Sequence, residues 1–275
     1  MTNEGNENPY SAVDRGMPAH YDRALGPVFF VDYADDIARR AAASAPARVL
    51  ELAAGTGIVT RRLRDLLPPA TQLVATDLNP PMLDVARGKF AAAEAVRFQP
   101  ADAMELPFPD GSFDAIVCQF GVMFFPDKDK AYREAHRVLG TGGRYLFSVW
   151  DSHDYNPIGR LASDIAAKLF PADPPQFFDA PFGYHLIDPI KQSLLRAGFG
   201  EIAIAVLPID QPIADVAGFA DGLVHGSPFI EQLRARGISD PAPVVSAIAD
   251  ALRREFGTDP TRMKLQAIVF EATRR

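Results

Sequence analysis

The chain is 275 residues long, which allows one enlarged α/β domain or two smaller domains and is enough to bury a sizeable core. Hydrophobic residues make up 48% and charged residues 23% of the sequence, so a disordered, collagen-like or coiled-coil chain is excluded. The formal net charge is −7 and no basic run is present, so we expect no nucleic-acid partner.

The single cysteine, Cys118, excludes an intrachain disulfide and a cysteine-based zinc cluster, and we expect no metal site. The first residues, MTNEGNENPY, are polar and acidic, unlike a secretory signal peptide. The longest apolar stretch, residues 115–125, is interrupted by Gln119 and Gly121 and is too short to span a bilayer. These features favour a cytoplasmic protein without membrane insertion, and they leave its oligomeric state open.

Short apolar runs alternate with helical patterns along residues 48–150, which is typical of an α/β fold with a mostly parallel sheet. One helix is expected to begin with an N-cap asparagine, Asn79, followed by prolines. The glycine-rich run 140–143 is expected to end another helix. The predicted strands are 48–52, 72–77, 96–102, 113–119 and 144–150, and the predicted helices are 58–67, 80–94 and 128–139.

The flanking segments add helices and two more strands. Strands predicted over 201–207 and 264–272 bracket a long segment whose apolar residues recur at helical spacing. A connection of that length is too long for a hairpin turn, so we expect a helical insertion between the sixth and seventh strands. The remaining helices are expected over 27–43 and 188–197, with helix starts inside the insertion at Pro212, Ser227 and Pro241.

A ligand-binding loop is predicted where the first strand ends, in the sequence VLELAAGTG (49–57). Small residues follow the strand-ending Glu51 and let a ligand approach the backbone before a helix begins near Ile58. Thr60 takes the place of the third glycine of a dinucleotide-binding loop. The carboxylate of Glu51 suits a neighbouring sulfonium or ammonium better than a pyrophosphate.

This loop, an acid followed by glycines, resembles motif I of the class I S-adenosylmethionine (SAM) methyltransferases. The resemblance continues through ATDLNPPML, where Asp77 ends the second strand, and through QPADAMELPFPDGSFD, where Asp102 ends the third. In that family the first of these acids accepts from the ribose hydroxyls and the second from the adenine amine, while the backbone N–H of Ala103 is a further donor. Residues 115–127 and 134–148 are similar to the family's fourth strand and to its helix, glycine turn and fifth strand.

The resemblance covers about residues 20–150 and is nearest to the methyltransferase type 11 subgroup, which is related to the ubiquinone/menaquinone C-methyltransferases. It implies a Rossmann-like, doubly wound sheet of seven strands, mostly parallel with an antiparallel last strand, plus a helical cover. Residues 1–45 would form N-terminal lid helices, residues 46–207 and 261–275 the SAM-binding core, and residues 208–260 a helical insertion that covers the acceptor site.

Several positions depart from the family's patterns. Ala53 stands where motif I has its first glycine. The N-terminal signature of the quinone methyltransferases is not apparent, which counts against a quinone as substrate. After the fourth strand the chain reads QFGV (119–122), so the Asn/Asp-Pro-Pro-Tyr/Phe motif of enzymes that methylate amino groups of nucleic acids and glutamine is missing.

The resemblance also implies a set of cofactor contacts, although ordinary structural roles remain open for several of these residues. Glu51 and Asp77 could cap helices, Met82 could be a core residue, and Tyr21 could belong to a helix that simply packs on the sheet. The implied cofactor-binding residues are Tyr21, Glu51, Ala53, Gly55, Thr56, Gly57, Asp77, Leu78, Met82, Asp102, Ala103 and Gln119.

The acceptor site is expected near the segments that follow the fourth and fifth strands. His153 and His185 are candidate general bases there, because histidine titrates in the useful range, and ordinary loop histidines are the alternative. Cys118 is expected to be a buried, inert thiol. Phenylalanines concentrate in the same segments and favour an apolar acceptor pocket; they are Phe120, Phe124, Phe125, Phe177, Phe178 and Phe182.

These features predict a SAM-dependent methyltransferase that acts on a small, apolar or aromatic metabolite. A quinone-type C-methyltransferase of the same family is one alternative. An NAD(P)-linked oxidoreductase fits the predicted sheet and Asp77, but it lacks the third glycine. A non-catalytic SAM-binding module is the remaining possibility.

Overall fold

The computed structural model describes residues 16–258 and 260–275 of the chain. Within these ranges the strands form one seven-stranded sheet in the order β3-β2-β1-β4-β5-β7-β6. β7 is antiparallel to both of its neighbours, whereas the pairs on the β3 side of β5 are parallel. The strands are β1 (Arg48–Glu51), β2 (Gln72–Asp77), β3 (Val96–Pro100), β4 (Phe113–Gln119), β5 (Leu139–Trp150), β6 (Phe199–Pro212) and β7 (Arg262–Arg274).

Helices cover both faces of this sheet and extend beyond the ends of its strands. A π-helical segment, Tyr21–Phe30, connects the first two α-helices, and short 3₁₀ turns occur at Ala92–Glu94 and Val122–Phe124. The α-helices are α1 (Met17–His20), α2 (Val31–Ala42), α3 (Ile58–Leu66), α4 (Pro80–Arg87), α5 (Lys128–Val138), α6 (Pro157–Leu169), α7 (Asp179–Phe182), α8 (Ile187–Arg196), α9 (Val216–His225), α10 (Phe229–Ala235) and α11 (Ala242–Phe256).

One face of the sheet is covered by α2 and α3. Val49, Val117 and Leu146 point to this face and form a buried cluster with Ile37 of α2 and Leu63 of α3. Side chains alternate between the two faces along a strand, so the neighbouring residues must point the other way.

The opposite face is covered by α5 and α8. Leu50, Ile116 and Phe147, each adjacent in sequence to a residue of the first face, pack with Tyr132 of α5 and Leu194 of α8. Large buried apolar side chains of this kind each contribute about 1.5–3 kcal/mol to folding. Apolar layers on both faces explain the near-continuous hydrophobic runs of the central strands. The predicted fold class is therefore confirmed, including the antiparallel last strand.

Several predicted boundaries are wrong, and three of them have a local reason. The run 140–143, predicted to end a helix, lies inside β5, where the pairing with β4 shifts register between Phe113 and Ala115. The helix predicted over 80–94 ends at Arg87, before Gly88.

The sixth strand is longer than predicted. β6 stays paired with β7 from Phe199 to Pro212, so no helix starts at Pro212. α9 begins four residues later, where the side chain of Asp215 accepts a hydrogen bond from the Gly218 backbone N–H at 2.8 Å. None of the helices in the described ranges combines the length and apolar character that a membrane span requires.

Candidate functional site

A deep cleft lies beyond the carboxyl ends of the parallel strands, where β1 and β4 are neighbours and the strand order reverses. Open α/β sheets leave their binding crevice at this switch point. The cleft contains about 1390 Å³ of empty space, part of it open to solvent. Residues at the carboxyl ends of β1 to β5, or in the segments that follow these strands, line the cleft. They are Ala53, Gly55, Asp77, Leu78, Asp102, Ala103, Gln119, Phe120 and Trp150.

The glycine loop after β1 is held in conformations that suit glycine. Gly55 and Gly57 have φ angles of 54° and 80°, in the left-handed region. A Cβ on Gly57 would lie 2.9 Å from the Cβ of Ala86, so this glycine allows α3 and α4 to approach closely. A Cβ on Gly55 would meet nothing within 4 Å, because Gly55 borders the empty cleft.

Asp77 fixes that loop from the end of β2. One of its carboxylate oxygens accepts from the Gly55 N–H at 2.8 Å, and the other accepts from the Asn79 N–H at 2.8 Å. Burial raises the pKa of Asp77, while these hydrogen bonds act in the opposite direction. Each carboxylate oxygen has a second lone pair, so Asp77 can still accept hydrogen bonds from a ligand in the cleft.

Glu51 lies beneath the loop rather than in the wall of the cleft. Its side chain is 2% exposed, and among the described residues its Oε2 has no hydrogen-bond partner. Burial raises the pKa of Glu51 to about 8; the charge of Asp77 adds to the shift and Thr60 opposes it. A buried carboxyl without a partner is costly, so this position favours a ligand that brings a donor or a positive charge.

Gln119 has a second unsatisfied acceptor at the centre of the cleft. Its Nε2 donates to the carbonyl oxygen of Phe30 at 3.1 Å, and this bond orients the amide. Its Oε1 is buried and has no partner among the described residues. Gln119, which lines the cleft, therefore presents an acceptor to a ligand with N–H or O–H donors.

The neighbouring part of the cleft combines one polar group with apolar surface. Asp102 accepts from the Met104 N–H at 2.8 Å, which orders the turn after β3. Ala103, Met82 and the half-exposed Leu78 line the same region. A flat apolar surface beside a carboxylate can bind a heteroaromatic ring whose exocyclic group donates a hydrogen bond.

The π-helical segment closes the cleft from the opposite side. Tyr21, Leu25, Phe29 and Phe30 line it, and the Tyr21 ring stacks on Phe30 with ring centroids 5.0 Å apart. Thr56 of the glycine loop does not line the cleft; its hydroxyl donates to the Asp22 carboxylate at 2.6 Å. The structure therefore gives Thr56 a contact with the segment that follows α1.

The far end of the cleft is aromatic and aliphatic. Phe120 stacks on Trp150 with ring centroids 3.9 Å apart, and Phe120 has a left-handed φ of 51°. Such backbone strain in a non-glycine residue occurs preferentially at functional sites. All six phenylalanines noted in the sequence line the cleft. The apolar residues that sequence reasoning had not assigned to the site include Met123, Trp150, Ile158 and Leu223.

Neither candidate base lines the cleft. His153 packs beside Phe182, with ring centroids 5.1 Å apart, and its Nε2 is buried without a partner among the described residues. His185 directs Nδ1 to the carbonyl oxygen of Phe182 at 2.8 Å. Both histidines thus contact Phe182, which lines the cleft, and a catalytic role for either histidine stays a prediction.

Cys118 is buried at the end of β4, and burial raises the pKa of its thiol to about 12. A thiol with this pKa is protonated at neutral pH and is a poor nucleophile. The structure therefore gives Cys118 a place in the core.

Comparison with known proteins gives this site a family context. Residues 50–147 match a protein family described as a methyltransferase domain. The chain is 49% identical over 103 residues to a demethylmenaquinone methyltransferase of Thermus thermophilus, covering 37% of this chain and 46% of the relative. It is 30% identical over 168 residues to a ubiquinone/menaquinone biosynthesis C-methyltransferase of Pasteurella multocida, covering 56% of this chain and 63% of the relative. The matches thus span less than two thirds of these relatives.

A solved structure extends the likeness to nearly the whole fold. The phosphoethanolamine N-methyltransferase 2 of Haemonchus contortus, solved with S-adenosylhomocysteine, aligns with a TM-score of 0.59 at 17% identity. The alignment covers 94% of this chain and 56% of that protein. The resemblance predicted from the sequence is confirmed: residues 50–147 match a methyltransferase domain, and the fold is similar to that of a solved SAM-dependent N-methyltransferase.

Proposed function

We propose that this chain binds SAM and transfers its methyl group to a small, apolar or aromatic metabolite. The observation that carries the proposal is the two-part character of the cleft, which joins a polar end at the glycine loop to an aromatic end at Phe120 and Trp150. The domain match over residues 50–147 and the names of the curated relatives support methyl transfer.

The polar end fits the groups of SAM. Asp77 would accept from the ribose hydroxyls, and Asp102 with Leu78 and Met82 would hold the adenine. Glu51 would offset positive charge at the methionine end, which its unpaired oxygen supports. When bound, SAM supplies an electrophilic methyl group that needs little further activation.

The aromatic end would hold the acceptor and exclude water. Desolvation strengthens the interactions between a cation and its surroundings, and fixed walls lower the entropy cost of bringing two reactants together. Met123, Ile158 and Leu223 come from separate elements of the chain and would shape this wall. Helix α9, which contributes Leu223, belongs to the segment between β6 and β7, so we assign residues 208–260 to acceptor selection.

An acceptor that must lose a proton needs a base. His153 is the better-placed of the two candidates, because its unpartnered Nε2 is buried near Phe182 and Gly159, which both line the cleft. An acceptor that ionises in solution would need no base from the protein.

A quinone-type acceptor methylated on carbon is the second candidate. The names of the Thermus and Pasteurella relatives support it, and the apolar end of the cleft suits a prenylated ring. The missing N-terminal signature counts against it. An NAD(P)-linked reaction is less well supported, because the buried Glu51 would lie under a pyrophosphate and Thr60 replaces the third glycine.

Tritium transfer from methyl-labelled SAM would test the proposal. The acceptors would be a prenylated 1,4-naphthohydroquinone, a simple catechol and, as a polar control, phosphoethanolamine. We expect label in one of the apolar or aromatic acceptors and none in phosphoethanolamine. Transfer to phosphoethanolamine alone would contradict the assigned acceptor class.

A further inference from the structure

The consecutive residues His20, Tyr21 and Asp22 contact three different parts of the protein. The ring of Tyr21 lines the cleft. His20 lies on one side of it, with Nδ1 3.4 Å from the carboxylate of Asp221 on α9. Asp22 lies on the other side and accepts from the Thr56 hydroxyl at 2.6 Å. The segment is thus fixed on both sides of the residue that covers the cleft.

The contact at Asp22 joins two elements that are far apart in sequence. Asp22 is in the π-helical segment, and Thr56 is in the glycine loop next to Gly55. The ammonium of Lys89, just beyond α4, donates to the same carboxylate oxygen. Thr56 is 1% exposed and Asp22 is mostly buried, so the hydrogen bond is charge-assisted and shielded from water.

The contact between His20 and Asp221 depends on close packing of the segment around Tyr21 against α9. A Cβ on Gly222 would lie 2.4 Å from the Cβ of Ala24, and a Cβ on Gly226 would lie 2.9 Å from the backbone nitrogen of Tyr21. The two glycines are one helical turn apart and therefore face the same way. This surface of α9 supports the segment, and Asp22 attaches it to the glycine loop.

We infer that Asp22 is a positioning residue that holds Tyr21 over the cofactor by tying the π-helical segment to the glycine loop. The inference rests on the proposed function, because it needs SAM in the cleft. Release of a ligand beneath Tyr21 requires the segment to move, and that movement breaks the bond between Asp22 and Thr56. The ligand's dissociation rate should therefore depend on this bond, while the chemistry at the acceptor end should not.

A contact that only stabilises the fold would behave differently. Its loss would lower the melting temperature and leave the dissociation rate of a bound ligand unchanged in the folded fraction. The test therefore measures release of S-adenosylhomocysteine by stopped-flow displacement, with the melting temperature of the ligand-free protein measured in parallel.

The substitutions come in matched pairs. Thr56→Val removes the donor of this bond, and Asp22→Asn removes the charge of its acceptor, which also pairs with Lys89. Thr56→Ser keeps the hydroxyl. Asp35→Asn is the control for losing a carboxylate, because Asp35 pairs with Arg62 at 2.7 Å on the α2–α3 surface. We expect about tenfold faster release in Asp22→Asn and Thr56→Val, since each weakens a hydrogen bond to a charged group. Thr56→Ser and Asp35→Asn should release the ligand at the rate of the unaltered protein.

The double variant Asp22→Asn/Thr56→Val tests whether the two substitutions act through one shared contact or independently of each other. We expect it to be no faster than the faster single variant, because both substitutions break the same bond. Release at an unchanged rate in Asp22→Asn and Thr56→Val, with ligand still bound, would overturn the role of Asp22 and leave the proposed function standing. Failure of the unaltered protein to bind S-adenosylhomocysteine or SAM would overturn the proposed function, and with it this inference.

Hydrogen exchange of the ligand-free protein gives a readout that does not depend on the cofactor. Asp22→Asn should increase exchange of the amides over residues 21–30 and leave those of α3 unchanged. Equal protection of residues 21–30 in the variant and the unaltered protein would also overturn the inference.

Discussion

A Cβ placed on Gly121 would lie 2.5 Å from the Cβ of Ala53, so the loops after β1 and β4 have room for one methyl group between them. Ala53 stands where the family's motif has a glycine and keeps a left-handed φ of 51°. That conformation costs a non-glycine residue roughly 1–2 kcal/mol. The glycine at 121 leaves the space into which the extra methyl of Ala53 fits.

Gly121→Ala should therefore destabilise the protein by about 1–3 kcal/mol through overpacking. Ala53→Gly in the same chain should recover part of that loss by removing the facing methyl, while contact with Cys118 Sγ, 2.9 Å from the added Cβ, accounts for the remainder. Urea unfolding of both single variants and the double variant would measure the coupling. A change in stability of the double variant equal to the sum of the two single changes would show that the two positions are independent.

Asp77→Ala should weaken SAM binding by about 1–3 kcal/mol, because the cofactor loses a charged acceptor and the glycine loop loses its bond from the Gly55 N–H. Isothermal calorimetry would measure the affinity. Asp84→Ala is the matched control, since Asp84 is an exposed acid on α4 that pairs with Arg87. Unchanged affinity in a folded Asp77→Ala protein would remove Asp77 from the site.

The ligand-free protein should lose stability as the pH rises from about 4.5 to about 8. The pKa of Glu51 is raised from 4.5 to about 8 by burial, so in this range the unfolded chain ionises Glu51 while the folded chain keeps it neutral. Glu51→Gln should make stability depend less on pH in this range, because a glutamine stays neutral in both the folded and the unfolded chain. Chemical denaturation at several pH values would measure it. The same slope in Glu51→Gln would assign the pH dependence to other groups.

SAM binding should release a proton near pH 7. A positive charge near Glu51 favours the carboxylate and lowers the pKa that burial has raised to about 8. Calorimetry in buffers of different ionisation enthalpy would count the protons released, and Glu51→Gln should remove the release. Binding without any proton exchange in the unaltered protein would place the cation away from Glu51.

Transfer RNA should bind weakly or not at all at physiological salt. The formal net charge is −7, and the pairs of arginines in the sequence are isolated from one another. Fluorescence polarisation with a labelled tRNA would measure the affinity. Submicromolar, salt-sensitive binding would contradict the small-molecule assignment.

The polar end of the cleft could be predicted from sequence because its signals are local. An acid at a strand end, glycines with left-handed φ and a helix start are neighbours in the chain, and the structure brings Ala53, Gly55, Asp77, Asp102 and Gln119 to one cleft. The six phenylalanines reach it for the same reason, since they follow strands whose carboxyl ends meet at one edge of the sheet.

Other features of the site depend on contacts between distant segments. Asp22 and Thr56 are 34 residues apart, and no periodic pattern pairs them. Leu223 reaches the cleft only through the packing of α9, which two glycines make possible. Neither candidate histidine lines the cleft, although both contact Phe182, and sequence spacing gives no sign of that.

The N-terminal segment differs in part from its prediction. Tyr21 lines the cleft, and its contact with a cofactor stays a prediction; the helix predicted over 27–43 is a π-helical segment as far as Phe30, followed by α2. Residues 1–15, which were included in the predicted lid, lie outside the described ranges. Proline at position 27 has no backbone N–H to donate, which is unfavourable for regular helical hydrogen bonding there.

The most direct test of the central claim is a calorimetric titration of the purified chain with SAM, S-adenosylhomocysteine and NADH. The account predicts binding of the first two at a single site, weakened by Asp77→Ala and unaffected by Asp84→Ala, and no binding of NADH. Binding of NADH that displaces SAM, or a complete failure to bind SAM, would contradict the assignment of the cleft.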